Sequence, residues 1–175
     1  MTRTTGAGVV LIGPPGAGCT SVGRALARRR GLDFADLAQD VAQDLGTTPE
    51  LALVSVPEDV YRAREAVRAV ELLGRTRAEA LVLALGSGCL GDPGVSRALA
   101  RPIGEPGPRV IALTASPRTL ASRTGMDAPR SVALGPVHHA FVVMARERDL
   151  LCRQLADVVI DTTGAQVAET VERID

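Results

Sequence analysis

Short apolar runs rich in Val, Leu and Ile alternate along this chain with segments whose apolar positions recur every three or four residues. "GVVLIG" (8–13) is a β-branched run closed by glycine and then proline, the pattern of a buried parallel strand entering a loop. The spacing predicts a helix from Cys19 to Arg30 and a second strand in "LDFAD". "LAQDVAQDLG" and "EDVYRAREAVRAVELLGRTRAE" have helical periodicity and predict two or more helices. "ALVLALGSG" repeats the strand-into-glycine-loop arrangement, and "DPGVSRALA" opens a helix behind Asp-Pro. "PRVIALTAS" reads as a fourth strand before a Ser-Pro helix start. "HHAFVVMARERDLLCRQLA" is helical, and "DVVIDT" is a fifth strand ahead of a terminal helix. Five strands, each followed by helix, predict an α/β chain with one doubly wound parallel sheet. Any ligand then belongs at the carboxyl ends of the strands. "RTGMDAPRSVALGP" has little periodicity, and no repeat or linker divides the sequence, so one domain over 1–175 is expected.

Composition narrows the function classes. With 46% hydrophobic and 23% charged residues among 175, the chain can bury a sizeable core, and its formal net charge of zero provides no global field for nucleic acid or anionic lipid. No apolar run approaches the roughly 20 residues that cross a bilayer, and no signal-peptide core precedes the first strand, so a cytoplasmic location is expected. Cys19, Cys89 and Cys152 form no CxxC pair, which predicts reduced thiols rather than a zinc site or disulfide framework. All 20 basic side chains are arginine; the chain contains no lysine.

That absence matters at "GPPGAGCTS" (13–21). Between a predicted strand and a predicted helix, these residues fit the phosphate-loop pattern G-x-x-x-x-G-K-S/T except that Cys19 takes the lysine position. The glycines free consecutive main-chain N–H groups to converge on phosphate at the positive end of a helix dipole, and Thr20 brings the hydroxyl expected on Mg²⁺. Arg24, one turn along, is expected to point away from the loop's mouth. A thiol at a helix N-terminus among N–H groups is also expected to have a depressed pKa, which makes a redox-responsive nucleotide binder an alternative function. His138 and His139 lack an acid or thiol at ligand spacing and read as packing or surface residues.

From Val9 to Thr162 the chain resembles the shikimate kinases, small P-loop kinases that phosphorylate a hydroxyl of a cyclic carboxylic acid with Mg-ATP. The resemblance is carried by "GPPGAGCTSVGRALA", "LDFADLAQD", "EDVYRAREA", "LALGSGCL", "SRTGMDAPRSVALGP" and "RERDLLCRQLADVVIDT". It implies a three-layer P-loop kinase fold with a five-stranded parallel sheet flanked by helices. It also implies a mobile lid at about 123–135 and substrate-binding helices at about 37–77. Nucleotide binding would fall to Gly13, Gly16, Ala17, Gly18, Cys19, Thr20, Ser21, Arg123 and Arg130, and the Mg²⁺ accompanying ATP or ADP to Thr20 and Asp36. Asp36, Arg62, Gly86, Ser87, Gly88 and Arg148 would form the substrate site. Arg62 and Arg148 would grip a carboxylate, with Glu65 following Arg62, while Asp161 and Thr162 lead toward the adenine pocket. Arg130 and Asp36 are the implied catalytic residues.

The departures from the family pattern are as specific as the matches. Ala38 takes the place of the second aspartate, the favoured base, and cannot accept a proton. Ser87 replaces the middle glycine of a Gly-Gly-Gly loop, and its Cβ is expected to narrow the approach of substrate. Ser131 replaces a proline, and Cys152 stands where tyrosine is frequent. Retained residues bind and missing ones react. The expectation is a shikimate-kinase-like nucleotide binder with weak or absent phosphotransfer, acting through ligand-gated lid closure or a protein partner. The rival is an active shikimate or related hydroxy-acid kinase in which arginine and a shifted aspartate such as Asp40 take over.

Overall fold

The computed structural model describes residues 8–100, 107–126 and 135–175. Its strands are β1 (Val9–Ile12), β2 (Asp33–Asp36), β3 (Leu81–Ala84), β4 (Arg109–Thr114) and β5 (Val158–Asp161). They form one sheet in the order β2-β3-β1-β4-β5, and every neighbouring pair is parallel. Parallel neighbours need crossover connections, and helices supply them: α1 (Cys19–Arg30), α2 (Leu37–Asp44), α3 (Pro49–Ser55), α4 (Glu58–Ala78), α5 (Pro93–Leu99), α6 (Pro117–Arg123), α7 (Gly135–Leu155) and α8 (Val167–Ile174).

Strand side chains alternate between faces, and this period of two sorts the core into two halves. Val10, Ile12, Leu81, Leu83, Val110 and Ala112 pack with α2, α4 and α5, whereas Val9, Leu11, Val82, Ile111 and Leu113 pack with α1, α6 and α8. Helix α7 serves both halves, sending Phe141 and Ala145 to the second and Cys152 to the first. The result is the expected three-layer α/β architecture. The region expected to hold at least two helices after β2 holds three, because Pro49 at the N-terminus of α3 starts a short helix of its own.

Local chemistry fixes where the helices meet the sheet. Helix α1 starts at Gly18 (φ 102°) and stops at Gly31 (φ 63°), both left-handed, with Arg28, Arg29 and Arg30 in the last turn where the helix dipole favours cations. Helix α2 starts on Asp36, whose Oδ1 accepts from the N–H groups of Ala38 (3.0 Å) and Gln39 (3.4 Å). Asp36 therefore ends one element and caps the next. Most of the expected lid, 127–134, and Arg130 and Ser131 with it, lies outside the described residues.

Candidate nucleotide and carboxylate site

A cavity of about 1000 Å³ opens at the carboxyl ends of the strands. Its lining brings together Gly13, Gly16, Ala17, Gly18, Cys19, Thr20, Ser21, Ala38, Arg62, Glu65, Gly86, Ser87, Gly88, Arg123, Arg148 and Thr162, all singled out from sequence. Tyr61, Leu53, Phe141, Met144 and Gln166 line it too and had not been anticipated. Phe141 and Met144 lie seven and four residues before Arg148 on α7, a helical stripe that the sequence contained once Arg148 was noticed.

The loop after β1 is shaped by close approaches that only glycine allows. A Cβ on Gly13 would lie 2.5 Å from the Leu113 carbonyl oxygen, and Gly16 and Gly18 adopt φ of +85° and +102°. The Gly13 N–H donates to the Gly86 carbonyl at 3.4 Å, so the phosphate loop and the loop after β3 are stitched together. No side chain caps the start of α1, which leaves its first-turn N–H groups available to an anion at the positive helix end.

Cys19 occupies the first position of α1 and is half-buried. Its Sγ lies 3.2 Å from the point a Cβ on Gly13 would occupy. Burial, reinforced by Cys152 and the Asp36 carboxylate, pushes the thiol from 9.0 up to about 12, outweighing hydrogen bonds from the Cys19 and Gly86 N–H groups. The expectation of a depressed pKa is thus corrected: desolvation overrides the helix end. Burial likewise pushes Cys89 and Cys152 up to about 12, so no lowered pKa sets Cys19 apart from the other thiols.

Asp36 is 6% exposed and, unlike the other described residues expected at the site, does not line the cavity. The Thr20 hydroxyl donates to its Oδ2 at 2.6 Å. Hydroxyl and carboxylate oxygens suit a hard cation that takes its remaining ligands from water and phosphate, as Mg²⁺ does. Among the described residues no three His, Cys, Asp or Glu side chains converge as a metal cluster. Asp40 does not join this group. It pairs with Arg68 of α4 at 3.4 Å, which rules against its serving as a displaced base.

At the other end of the cavity, the Arg62 guanidinium donates to Glu65 Oε2 at 2.8 Å, lies 3.6 Å from Glu58 and stacks 5.5 Å from the centre of the Tyr61 ring. Burial, followed by the positive charge of Arg62, holds the half-buried Arg148 below the usual arginine range. Two such cations in one wall favour an incoming carboxylate. Gly88 lets the loop close on this pair, since a Cβ there would meet Glu65 Oε1 at 2.7 Å and Arg62 at 2.9 Å. Ser87 is 6% exposed, and its Oγ is buried without a hydrogen-bond partner.

The remaining arginines near the loop are held in place. Arg24 lies 5.6 Å over the Phe34 ring, pointing away from the loop's mouth. Arg123 is engaged by the loop itself, donating to the Gly16 carbonyl at 3.2 Å and to Thr162 Oγ1 and O at 3.1 and 2.8 Å. The buried Thr162 hydroxyl bonds to the carbonyls of Ala17 and Thr114 in turn. Asp161 precedes Thr162 in the chain, and only Thr162 of the two lines the first cavity. Asp161 lines a separate cavity of about 630 Å³ between α6 and α7, and hydrogen bonds from Thr163 hold its carboxyl below the usual range.

Comparison with known proteins agrees along almost the entire chain. A family model described as shikimate kinase matches residues 15–175. The shikimate kinase of Thermobifida fusca is 33% identical over 165 residues, 94% of this chain and 91% of that protein. The one from Francisella tularensis subsp. novicida is 30% identical over 167 residues, 95% and 91% of the two chains. Among solved structures, a shikimate kinase from Acinetobacter baumannii in complex with shikimate aligns with a TM-score of 0.76 at 28% identity, covering 97% of this chain and 91% of that one. A phosphate loop at the head of this sheet, and relatives that match more than nine-tenths of the chain, make it a member of the shikimate kinase family, the ATP-dependent phosphotransferases of that name.

Proposed function

We propose that this protein binds ATP or ADP with Mg²⁺, and a small carboxylate such as shikimate, with weak or absent phosphoryl transfer. The observation that carries the reading is Cys19: the family's mobile cation is replaced by a neutral, half-buried thiol in a chain without a single lysine. The described arginines nearby have other engagements. Arg24 stacks on Phe34 and Arg123 is tied to carbonyls of Gly16 and Thr162, while Arg62 and Arg148 are assigned to the ligand carboxylate. Loss of one preorganised donor to transition-state charge raises the barrier by about 3 kcal/mol, roughly a hundredfold in rate.

Proton acceptance fails separately. Ala38 has no acceptor, Asp40 faces Arg68, and Asp36 is engaged by Thr20 and two amides of α2. Binding asks less of these positions. Main-chain amides of Gly16 and of residues 18–21 would hold phosphate oxygens, the Ala17 amide being spent on the Pro14 carbonyl, Thr20 and Asp36 would hold the cation, and Arg62 with Arg148 would hold the carboxylate. Bound Mg²⁺ neutralises phosphate charge. The same proposal treats 1–175 as one domain with α2 to α4 as its substrate-binding side, in the cytoplasm.

The test pairs calorimetry with a coupled kinase assay on the parent and on the double variant Cys19→Lys/Ala38→Asp. The parent should bind ADP yet turn over shikimate well below about 1 s⁻¹, a low but ordinary enzyme rate. The double variant should gain activity. Parent turnover above that rate, or no nucleotide binding at millimolar concentration, overturns the proposal.

A further inference from the structure

We infer that the carboxylate pocket of this protein selects a ligand with a hydroxyl-free face and one polar substituent directed at Ser87, a less hydroxylated molecule than shikimate. The inference rests on the proposed reading of Arg62 and Arg148 as the carboxylate grip. It adds what the rest of the pocket then demands.

The pocket is chemically divided. From α2 and α3 only Leu37, Ala38 and Leu53 reach its lining, so that side offers neither donor nor acceptor side chain. The loop after β3, α4 and α7 supply the polar side: Ser87, Tyr61, Arg62, Glu65 and Arg148. A ligand hydroxyl pressed against the apolar side loses water and gains no partner. A desolvated, unpaired hydroxyl lowers affinity about five- to a hundredfold.

Ser87 has the opposite deficit. It lines the cavity, is more than nine-tenths buried, and its Oγ lacks a hydrogen-bond partner. Buried hydroxyls in folded proteins are nearly always paired, and one that is not, on a residue of a pocket wall, can pair with a ligand group once it is rotated toward the open space. The backbone places it there without strain, because the preceding Gly86 takes the left-handed turn (φ +71°) and no described non-glycine residue has positive φ. One χ1 rotation separates the orientations available to the hydroxyl. Ala38 and Ser87 therefore act together, one removing a hydrogen-bonding position from the pocket and the other adding one elsewhere.

The experiment is calorimetry on the full chain with Mg-ADP present, using benzoate, 3- and 4-hydroxybenzoate, 3,4,5-trihydroxybenzoate and shikimate as probes. The better monohydroxy probe should bind at least tenfold more tightly than the trihydroxy probe and than shikimate. Ser87→Ala and Ser87→Gly should each remove the monohydroxy probe's advantage over benzoate. Ala38→Asp should shift preference back toward the trihydroxy probe and shikimate. Equal or tighter binding of shikimate by the parent overturns the inference, as does an advantage that survives both Ser87 variants, or no binding of any carboxylate at 10 mM. ADP binding is read in the same titrations: its loss sinks the nucleotide reading, whereas its persistence with the wrong probe order sinks only the pocket inference.

Discussion

Removing the Asp36 carboxylate should separate its role in holding the fold from its role at the cation. This side chain accepts three hydrogen bonds, from the Thr20 hydroxyl at 2.6 Å and from the N–H groups of Ala38 and Gln39 at 3.0 and 3.4 Å. Replacing an N-cap aspartate with alanine costs about 1 kcal/mol. Losing the hydrogen bond of Thr20 to a charged acceptor costs about 1.5 kcal/mol, near the lower end for such bonds because Thr20 is exposed and water can replace the partner. Asp36→Ala should therefore destabilise the protein by about 2.5 kcal/mol. Asp36→Asn keeps an oxygen for the α2 amides, asparagine being as good a cap as aspartate, and should lose about 1 kcal/mol. With no tryptophan and a single tyrosine, unfolding is best followed by far-ultraviolet circular dichroism in urea. Both variants should lose Mg²⁺-dependent enhancement of ADP affinity, because neither carries the charge. The reasoning is refuted if alanine costs less than about 0.5 kcal/mol, or if the asparagine variant is destabilised as much as the alanine one.

Two further outcomes follow from the loop and the thiols. Gly13→Ala places a Cβ 2.5 Å from the Leu113 carbonyl oxygen and 3.0 Å from Ala17 Cβ, rigid neighbours that cannot swing aside. It should cost about 2 kcal/mol or more in urea unfolding and weaken ADP binding in calorimetry, and a neutral result would contradict the close packing under the loop. Cys19, Cys89 and Cys152 are each pushed from 9.0 up to about 12, so the folded state retains protons that the unfolded chain releases first. Stability should then fall as pH rises from about 9 toward 12, with a shallower fall in Cys89→Ala/Cys152→Ala; a flat melting profile between pH 8 and 11 would contradict the burial of these thiols.

The sheet was legible because each strand is a short apolar run ended by glycine or a polar turn, and because alternate residues such as Val9 and Val10 must face opposite layers. Helix α3 was not separately foreseen, since seven residues behind Pro49 are too few to show a period. At the site, residues neighbouring in sequence were easy to place. The loop, Ala38, Arg62 and Ser87 all line one cavity. What escaped was contact across the chain. Arg123 and Gly16 are 107 residues apart, and Thr162 and Ala17 are 145 apart, so no local pattern announces that β5 is tied to the phosphate loop. The capping role of Asp36 follows from its place just before a helical run, a position that a metal-binding carboxylate can share. The thiol's direction was misjudged because sequence shows that Cys19 opens a helix but hides how closely Gly13 packs on its sulfur.

Gly13, Gly16 and Gly18 place the anion-holding surface in the backbone, where a substitution elsewhere cannot delete a donor. Capture of a polyanion and the chemistry done to it are consequently inherited on different terms. The first survives as long as three glycines and the strand and helix flanking them persist, while the second depends on single side chains that drift can remove one codon at a time. A chain built this way can trade a catalytic role for a sensing or scaffolding one without passing through an unfolded ancestor. On the proposed reading, engineering phosphoryl transfer back asks for side chains alone, with the backbone left untouched.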